Sequence, residues 1–322
     1  MQDFNRLVAL CRGKTVYIQT HNFPDPDAIA SAFGLQRLLA HFGVEATLCY
    51  AGLIDKLSTA KMLDAFGIRM YAYHELQARM RPEDPIICVD SQKNSGNITD
   101  FIGDEIAVID HHPTFVQTAY LYAELEITGA CASLIARDYR ALDVTPDQNT
   151  ASALLYGLRM DTLQFSRGVT PLDIEMFGWL FPLCDHALLS GLERNNLELQ
   201  DLRAYGAAID SLTIYEKIGF AGIPFSCPDG LIAALSDFIL SLEEVFVAVV
   251  FCRREDGIKC SVRSEIPFVH AGHLTHDALA GLGSGGGHAE MAGGLIPKEN
   301  LPLLGAYPEL TLRERFLQVL TP

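Results

Sequence analysis

Short apolar runs alternate with helical patterns through the first part of the chain, and this alternation constrains the fold more than any other feature. The runs cover residues 15–19, 46–50, 86–90 and 105–110, and a helical pattern covers 27–43. Strands that are apolar on both faces and separated by helices are typical of a parallel sheet buried between helices. The sequence therefore predicts an α/β fold whose N-terminal domain is built on a parallel sheet.

The middle of the chain has a mostly helical pattern, from residues 129–142 to about residue 211. Pro146 and Asp147 are expected to open one helix there, and Pro171 and Asp173 another, since proline and aspartate are favoured in the first turn. We predict that the N-terminal domain covers residues 1–190 and that a helical linker covers residues 191–211.

A second change of pattern follows the predicted linker. Apolar β-rich runs return at 213–220, 245–252 and 258–264, and helical patterns cover 229–242 and 271–283. Strands and helices mixed in this way predict a smaller C-terminal α/β domain. We place this second domain at residues 212–322.

The charge balance limits which partners the chain can bind. It has 24 basic and 40 acidic residues among 322, a net charge of −16. Such a surface repels a long polyanion, so duplex DNA is not an expected partner. A small nucleotide is compatible with this charge, because bound metals and a few local cations can offset the overall field.

Cysteine usage and hydropathy predict a cytoplasmic location. The eight cysteines form no C-x-x-C pair and lie in apolar segments, which is typical of buried thiols in a reducing compartment. The first residues, MQDFNRLVALCRGK, lack the pattern of a signal peptide. The longest apolar run, 245–252, is far shorter than the ~20 residues needed to cross a bilayer, so we expect no membrane association.

Histidine and aspartate residues collect where three predicted strands and one helical run end. Ligands of open parallel sheets bind beyond the carboxyl ends of the strands, so these residues are expected to converge. Carboxylate and imidazole together suit manganese, iron, cobalt or zinc better than calcium. A structural zinc site is disfavoured because the set contains no cysteine. The candidates are His21, Asp25, Asp27, Asp90, Asp110, His111, His112 and Asp161.

Three of these positions also have a purely structural interpretation. Asp27 could cap the helix that it begins, and Asp90 and Asp161 could cap turns. The doublet of His111 and His112 favours a site, because it follows an acid at a strand terminus.

The glycine-rich run at 283–288, GSGGGH, predicts a phosphate-binding loop. Without side chains, backbone N–H groups can approach a phosphate closely and form an anion nest. The run matches neither a P-loop nor a dinucleotide fingerprint, and a flexible surface loop is the alternative interpretation. Arg263 adds a rigid set of donors suited to phosphate. His273 and His276 are interpreted as surface or packing residues.

Taken in order, these motifs resemble the DHH family of phosphoesterases, within the RecJ-like superfamily. The resemblance is to its short branch of oligoribonucleases, 3'-phosphoadenosine 5'-phosphate phosphatases and cyclic-dinucleotide phosphodiesterases. It extends to a DHH-associated C-terminal domain and so covers almost the whole chain. The matching segments are HNFPDPDA at 21–28, VD at 89–90, IDHHP at 109–113, LLYGLRMDT at 154–162, SVRS at 261–264 and SGGGHAEMAGG at 284–294.

The resemblance implies two bound Mn²⁺ ions, with Mg²⁺, Co²⁺ or Fe²⁺ as alternatives. Two metals ~3.5–4 Å apart can share a bound hydroxide and stabilise an in-line displacement. Asp90 is the implied bridging and catalytic carboxylate, His112 would face the substrate phosphate, and Asp110 would orient the histidines. The implied ligands are His21, Asp25 and Asp90 for one ion, and Asp27, Asp90, His111 and Asp161 for the other.

The resemblance also implies that the second domain binds the substrate across an active-site cleft between the two domains. Two positions depart from the family pattern: Leu163 stands where glycine is frequent, and Met291 stands where a smaller residue is frequent. These departures affect the loop after Asp161 and the shape of the pocket. The implied substrate-binding residues are Arg263, Ser264, Gly285, Gly286, Gly287 and His288.

The first hypothesis for function is hydrolysis of short oligoribonucleotides, linear or cyclic dinucleotides, or 3'-phosphoadenosine 5'-phosphate. The partner would be a small nucleotide or short single-stranded RNA, and a homodimer is compatible with the sequence. A single-strand exonuclease is a weaker alternative, because it needs a basic groove. A pyrophosphatase or exopolyphosphatase is another, although that branch usually carries a different C-terminal domain. The non-enzymatic alternative is a nucleotide-binding sensor.

Overall fold

The computed structural model describes residues 4–54, 57–194 and 197–320. The chain divides into two compact units, with the boundary between Asn196 and Leu197. Each unit has its own six-stranded sheet and its own apolar core.

The first unit is a parallel α/β layer structure, as the sequence predicted. Its sheet has the order β3-β2-β1-β4-β5-β6, and every neighbouring pair is parallel. The strands are β1 (Val16–Gln19), β2 (Ala46–Tyr50), β3 (Tyr71–Ala72), β4 (Pro85–Val89), β5 (Asp104–Asp110) and β6 (Tyr122–Leu125). The helices are α1 (Phe4–Cys11), α2 (Pro26–His41), α3 (Leu57–Phe66), α4 (Tyr73–Leu76), α5 (Cys131–Ala141), α6 (Gln148–Asp161), α7 (Pro171–Leu180) and α8 (His186–Glu193), with a 3-10 turn at Phe181–Leu183.

Close packing of α2 against α6 brings two of the candidate ligands into one region. At Gly157 of α6, an added Cβ would lie 2.7 Å from the Cβ of Ala30 and 3.1 Å from the Cα of Asp27. Only glycine permits this approach, because contacts below 3.0 Å force one of the helices to move. The missing side chain therefore lets α6 deliver Asp161, four residues later, towards the start of α2.

The second unit contains a mixed sheet with the order β11-β12-β10-β9-β8-β7. Its pairs are antiparallel except for β8 with β9. The strands are β7 (Thr213–Tyr215), β8 (Ile218–Ile223), β9 (Val247–Arg254), β10 (Gly257–Ser264), β11 (Ser284–Gly287) and β12 (Met291–Pro297). The helices are α9 (Asp201–Ser211), α10 (Asp229–Leu240), α11 (Ala271–Leu279) and α12 (Pro308–Leu320), with a 3-10 segment at Lys298–Leu304.

Helices cover both faces of the second sheet. Ala204 and Ala208 of α9 share one apolar cluster with Ile232 of α10, and Leu274 of α11 shares another with Phe316 of α12. The second half of the predicted linker, residues 201–211, is thus a helix packed within the second unit. The run predicted as one strand at 213–220 is instead a hairpin of β7 and β8, which turns at Glu216 with φ 51°.

Two bulk properties can be compared with the sequence predictions. All eight cysteines are buried free thiols, as expected from their apolar surroundings. Within the described ranges, no helix is both long enough and apolar enough to cross a membrane.

Candidate metal centre

The candidate ligands converge because β1, β4 and β5 are neighbours in the sheet. His21 follows β1, Asp90 follows β4 directly, and Asp110 is the last residue of β5. Parallel strands end at the same edge of a sheet, so the side chains that follow them share one region. The end of α6 brings Asp161 to the same place, 3.5 Å from the ring of His111.

Asp90 is the centre of this region. Its Oδ1 lies 3.2 Å from Nε2 of His111 and 3.6 Å from Nδ1 of His112, and its Oδ2 lies 3.5 Å from Nε2 of His21. The backbone of Asp90 is left-handed, with φ 57°. Aspartate tolerates this conformation better than most residues, and such backbone strain is concentrated at functional sites.

The structure contains three groups of side chains that could hold a metal ion, and within each group the possible ligand atoms lie within 4.8 Å of one another. The structure therefore brings together all six residues that the sequence proposed as ligands. His112 also lies close to Asp90, although the family resemblance assigns His112 to the substrate and not to the metal ligands. The groups are His21 with Asp25 and Asp90; Asp27 with His111 and Asp161; and Asp90 with His111 and His112.

Two of the histidines are oriented by backbone carbonyls. Nδ1 of His21 lies 2.8 Å from the carbonyl oxygen of Asn22, and Nδ1 of His111 lies 2.9 Å from that of Thr128. A carbonyl oxygen can only accept, so each Nδ1 carries a hydrogen and each Nε2 is directed at carboxylate oxygens. This arrangement, with Nδ1 anchored and Nε2 turned to the site, is typical of metal-ligating histidines.

The crowding of carboxylates in this group raises several pKa values and favours a nearby positive charge. Burial raises the pKa of Asp161 to about 7, with a further contribution from Asp25. Burial and the charges of Asp90 and Asp161 raise the pKa of Asp27 well above its usual range. Burial opposes protonation of His111, but the Asp90 carboxylate outweighs it and raises the histidine pKa. Without a cation, crowded carboxylates hold protons instead, and metal binding would release them.

The donor set passes a direct test of fit for a divalent cation. Oδ1 of Asp90 and Nε2 of His111 are both buried and have no hydrogen-bond partner. Leaving buried polar atoms unpaired costs about 1–3 kcal/mol each, so such atoms call for an explanation. Oxygen and imidazole donors, with no cysteine, suit manganese or a similar ion.

Asp27 serves a structural purpose that differs from the one considered from sequence. The N-cap of α2 is Asp25, whose Oδ1 accepts from the backbone N–H groups of Asp27 and Ala28. The buried carboxylate of Asp27 instead accepts from the N–H groups of Cys131 and Ala132, at 2.7 and 3.0 Å. These amides open α5, so Asp27 ties the start of α2 to the start of α5.

Asp110 holds the His111–His112 doublet in place. Its Oδ1 accepts from the backbone N–H of His111 at 2.9 Å and from Nδ1 of His112 at 2.8 Å. Gln92, which the sequence analysis missed, donates from Nε2 to Oδ2 of Asp110 at 2.7 Å and to the carbonyl oxygen of His112 at 3.1 Å. The only sequence signal for Gln92 is its position two residues after Asp90.

The loop after Asp161 is strained where the sequence departs from the family pattern. Leu163, Gln164 and Phe165 all have positive φ, at 45°, 57° and 66°. Arg167, a second missed residue, closes this loop by donating from Nη2 to the carbonyl oxygen of Asp161 at 2.8 Å.

The candidate substrate-binding residues lie in the second unit, on β10 and β11. Arg263 is largely buried, and its Nε donates to Oδ1 of Asp237 at 2.5 Å. Its Nη1 lies 3.2 Å from the hydroxyl oxygen of Ser261 and donates to the carbonyl oxygen of Val262 at 3.2 Å. Ser264 is buried next to it in β10. The structure thus holds the guanidinium in a fixed orientation.

The glycine run is a strand, and the prediction of a loop there was wrong. Gly285, Gly286 and Gly287 belong to the edge strand β11, and the N–H of His288 extends the pairing to the carbonyl oxygen of Met291 at 2.7 Å. Tight packing explains two of these glycines: a Cβ at Gly285 would lie 2.7 Å from Cγ2 of Thr275 in α11, and a Cβ at Gly287 would lie 2.4 Å from the carbonyl oxygen of Met291.

Comparison with known proteins agrees with this architecture. Residues 15–158 match the DHH family N-terminal domain, and residues 215–307 match the DHHA1 domain. A crystal structure of an exopolyphosphatase-related protein from Bacteroides fragilis superposes with a TM-score of 0.75 and 18% identity, covering 98% of this chain and 96% of that one. At this identity the similarity establishes the fold alone.

Two curated relatives are similar in sequence over part of their length. An uncharacterized protein of Methanocaldococcus jannaschii is 28% identical over 282 residues, which is 87% of this chain and 57% of that protein. A probable manganese-dependent inorganic pyrophosphatase of Streptococcus suis is 35% identical over 147 residues, which is 44% of this chain and 47% of that protein. The chain thus spans about half the length of these relatives.

The fold and the side-chain cluster define a class: an α/β protein with a candidate histidine–aspartate metal centre at the carboxyl ends of a parallel sheet. Within that class, the matches to both domain families identify the chain as a member of the DHH family, with a DHH N-terminal domain followed by a DHHA1 domain.

Proposed function

We propose that the chain is a manganese-dependent hydrolase of phosphate esters. The observation that carries this proposal is the pair of buried, unpartnered atoms at its centre, Oδ1 of Asp90 and Nε2 of His111, 3.2 Å apart. When Nε2 carries no proton, two lone-pair donors face each other in a ring of carboxylates, an arrangement that favours a bound cation. The similarity to proteins described as probable manganese-dependent inorganic pyrophosphatases supports manganese as that cation.

The proposed centre holds two ions. When bound, divalent cations stabilise the charge on phosphoryl oxygens and lower the pKa of water. Asp90 is the residue expected to serve both ions, since it lies within reach of the histidines of both sets. The proposed ligand sets are His21, Asp25 and Asp90, and Asp27, Asp90, His111 and Asp161.

His112 is proposed to contact the phosphate of the substrate, and Asp110 is proposed to orient His112. Asp110 accepts the Nδ1 hydrogen of His112 and so fixes the orientation of the ring. Burial lowers the pKa of His112, but the hydrogen bond to Asp110 and the charge of Asp90 outweigh it, and the pKa is raised. A protonated imidazole at this position would bind a phosphoryl oxygen and hold a proton ready for the leaving group.

For the substrate, we propose short oligoribonucleotides, linear or cyclic dinucleotides, or 3'-phosphoadenosine 5'-phosphate. The DHHA1 match supports this choice, because it covers Arg263, Ser264 and the segment 285–288, which are proposed to bind the nucleotide. A guanidinium fixed by Asp237 is pre-organised for phosphate, since less side-chain freedom is lost on binding.

Inorganic pyrophosphate is an equally supported alternative. Its support is the 35% identity to a probable pyrophosphatase over 147 residues. A single-strand exonuclease is disfavoured by the net charge of −16. A nucleotide-binding sensor without turnover is the non-enzymatic alternative. We further propose a cytoplasmic protein that does not bind duplex DNA and that is able to form a homodimer.

A manganese-supplemented activity screen tests these proposals. The substrates are the dinucleotide pApA, short single-stranded RNA, 3'-phosphoadenosine 5'-phosphate and pyrophosphate, each with Mn²⁺ and with excess chelator. We expect Mn²⁺-dependent release of mononucleotide or phosphate from at least one nucleotide. Turnover of pyrophosphate alone would favour the alternative substrate. Tight nucleotide binding with no turnover of any substrate would favour the sensor.

A further inference from the structure

A buried carboxylate in α7 makes four hydrogen bonds. Asp173 is fully buried, and its Oδ2 accepts from the backbone N–H and the hydroxyl group of Thr170, both at 2.7 Å. These two bonds are local and fix the start of α7. The same oxygen accepts from the N–H of Gly129 at 2.8 Å, and Oδ1 accepts from the hydroxyl group of Ser133 at 2.6 Å. The last two bonds reach about 40 residues back along the chain and hold the segment that leads into α5.

This segment, residues 128–132, directly contacts two of the proposed metal ligands. The carbonyl oxygen of Thr128 accepts from Nδ1 of His111 at 2.9 Å. The N–H groups of Cys131 and Ala132 donate to the two oxygens of Asp27. The segment therefore sets both the ring orientation of His111 and the position of the Asp27 carboxylate.

The same segment also packs beside the third member of that ligand group. A Cβ added at Gly129 would lie 2.8 Å from Cγ2 of Thr162 and 2.7 Å from Oδ2 of Asp173. Thr162 follows Asp161 directly, so any displacement of Gly129 is transmitted to the end of α6. Asp27, His111 and Asp161 form one of the groups with ligand atoms within 4.8 Å.

The other group of ligands is held by different contacts. His21 is anchored by the carbonyl oxygen of Asn22, and Asp25 by amides at the start of α2. Among the described residues, no hydrogen bond or ion pair joins the 128–132 segment directly to His21, Asp25 or Asp90. The segment reaches Asp90 through His111, whose Nε2 lies 3.2 Å from Oδ1 of Asp90.

We infer that Asp173 is a positioning residue that sets the metal affinity of the Asp27–His111–Asp161 group and has a much smaller effect on the ion held by His21 and Asp25, since Asp90 is the one ligand proposed for both ions. This inference rests on the proposed function, because it assumes that both groups bind metal. Removing a residue that orients metal ligands typically costs 10–100-fold in affinity. Asp173 touches neither metal ligand nor substrate, so its effect is transmitted entirely through the segment.

Calorimetric titration of the full chain with Mn²⁺ tests the inference. For Asp173→Ala we expect one Mn²⁺ affinity to fall by about 10–100-fold and the other to change by less than about twofold. Asp173→Asn keeps one oxygen able to accept the three Oδ2 bonds, so it should retain most of the affinity. Ser133→Ala removes only the 2.6 Å bond, and we expect a smaller effect on the same ion.

Asp147→Ala is the matched control for lost helix capping. Asp147 caps α6 by accepting from the N–H of Thr150 at 2.8 Å, and its contacts lie outside the 128–132 segment. We expect this variant to lose stability while both Mn²⁺ affinities stay unchanged.

Two results would overturn the inference: Asp173→Ala leaving both affinities unchanged, or weakening both equally. If Asp173→Ala fails to fold, the comparison of Ser133→Ala with wild type decides, and an unchanged affinity there counts against the inference. A wild-type chain that binds no Mn²⁺ would contradict the proposed function instead, and the two failures are therefore distinguishable.

Discussion

Asp90 and His111 face each other at 3.2 Å through two buried atoms, Oδ1 and Nε2, that have no hydrogen-bond partner. Nδ1 of His111 is held by the carbonyl oxygen of Thr128, and the backbone N–H of Asp90 donates to the carbonyl oxygen of Ile109 in β5 at 3.0 Å. The ring of His111 is therefore fixed with Nε2 directed at Asp90. The two atoms are positioned so that both could bind the same cation.

We predict that Asp90→Ala abolishes hydrolysis and weakens both metal affinities, because Asp90 serves both proposed sites. The expected loss in kcat is at least about 10³-fold, which corresponds to ~4 kcal/mol. Steady-state kinetics and Mn²⁺ calorimetry measure the two effects. Asp143→Ala is the matched control, since Asp143 is also left-handed, with φ 55°, but is exposed. Full activity of Asp90→Ala would contradict the two-metal assignment.

Gln92 is expected to tune turnover through Asp110. Gln92→Ala leaves Oδ2 of Asp110 without its donor, which loosens the carboxylate that orients His112. We expect kcat to fall by about 10–100-fold while KM changes little. Gln36→Ala serves as the control, because Gln36 makes a similar bond to the carbonyl oxygen of Ala46 away from the centre. Equal kinetics for the two variants would rule out this role.

Arg263→Ala should raise KM for a nucleotide far more than for a small synthetic phosphodiester. A charge-assisted hydrogen bond contributes about 1.5–3 kcal/mol, so roughly a tenfold rise or more is expected for the nucleotide. Arg254→Ala, which removes another ion-paired arginine of the same unit, provides the comparison. The nucleotide-binding role of Arg263 fails if both substrates respond equally.

Leu163→Gly should stabilise the fold. Leu163 has φ 45°, a conformation that costs a side-chain-bearing residue roughly 1–2 kcal/mol and glycine almost nothing. Because glycine is also more flexible in the unfolded chain, we expect a net gain of about 1 kcal/mol or less in urea unfolding. The same substitution at Leu121, where φ is not positive, should lower the free energy of unfolding. A lower free energy of unfolding for Leu163→Gly would contradict the backbone strain proposed at Leu163.

Asp138 should make stability depend on pH. Burial, with a contribution from Glu124, raises its pKa to about 8, and one oxygen has no hydrogen-bond partner. A raised carboxyl pKa contributes stability that is complete below the unfolded value near pH 4 and is lost as pH rises through about 8. Between pH 5 and 8.5, wild type should lose at least about 1 kcal/mol more than Asp138→Asn in chemical unfolding. If the free energies of unfolding of wild type and Asp138→Asn changed equally with pH, the raised pKa of Asp138 would be contradicted.

The sequence predicted the parts of the fold that local pattern determines. The strands leading to His21, Asp90 and Asp110 are continuous apolar runs, and α6 and α7 begin at their proline–aspartate signals. Strand β11 was predicted as a loop because glycine disfavours strands, and here pairing with β12 and packing on α11 override that preference.

The residues that support the ligands could not be predicted in the same way. Gln92 meets Asp110 across 18 positions, and Asp173 meets Gly129 across 44. Such contacts depend on the completed fold, and no local spacing encodes them. The proposed ligands themselves could be predicted from the sequence, because each lies at or next to the end of a helix or strand that the sequence pattern already indicates.

The contacts of Asp27 have a consequence for how the protein would handle its metal. Its carboxylate accepts from two amides of α5, and His21 and His111 are anchored by backbone carbonyls. Because these bonds come from the protein's own backbone, we expect the binding geometry to be established during folding rather than by the ion. A zinc finger unfolds when its metal is chelated. This centre should instead keep its structure when the ion is removed and bind a new ion without refolding. Its rate of ion exchange would then be limited by dehydration of the ion and by diffusion.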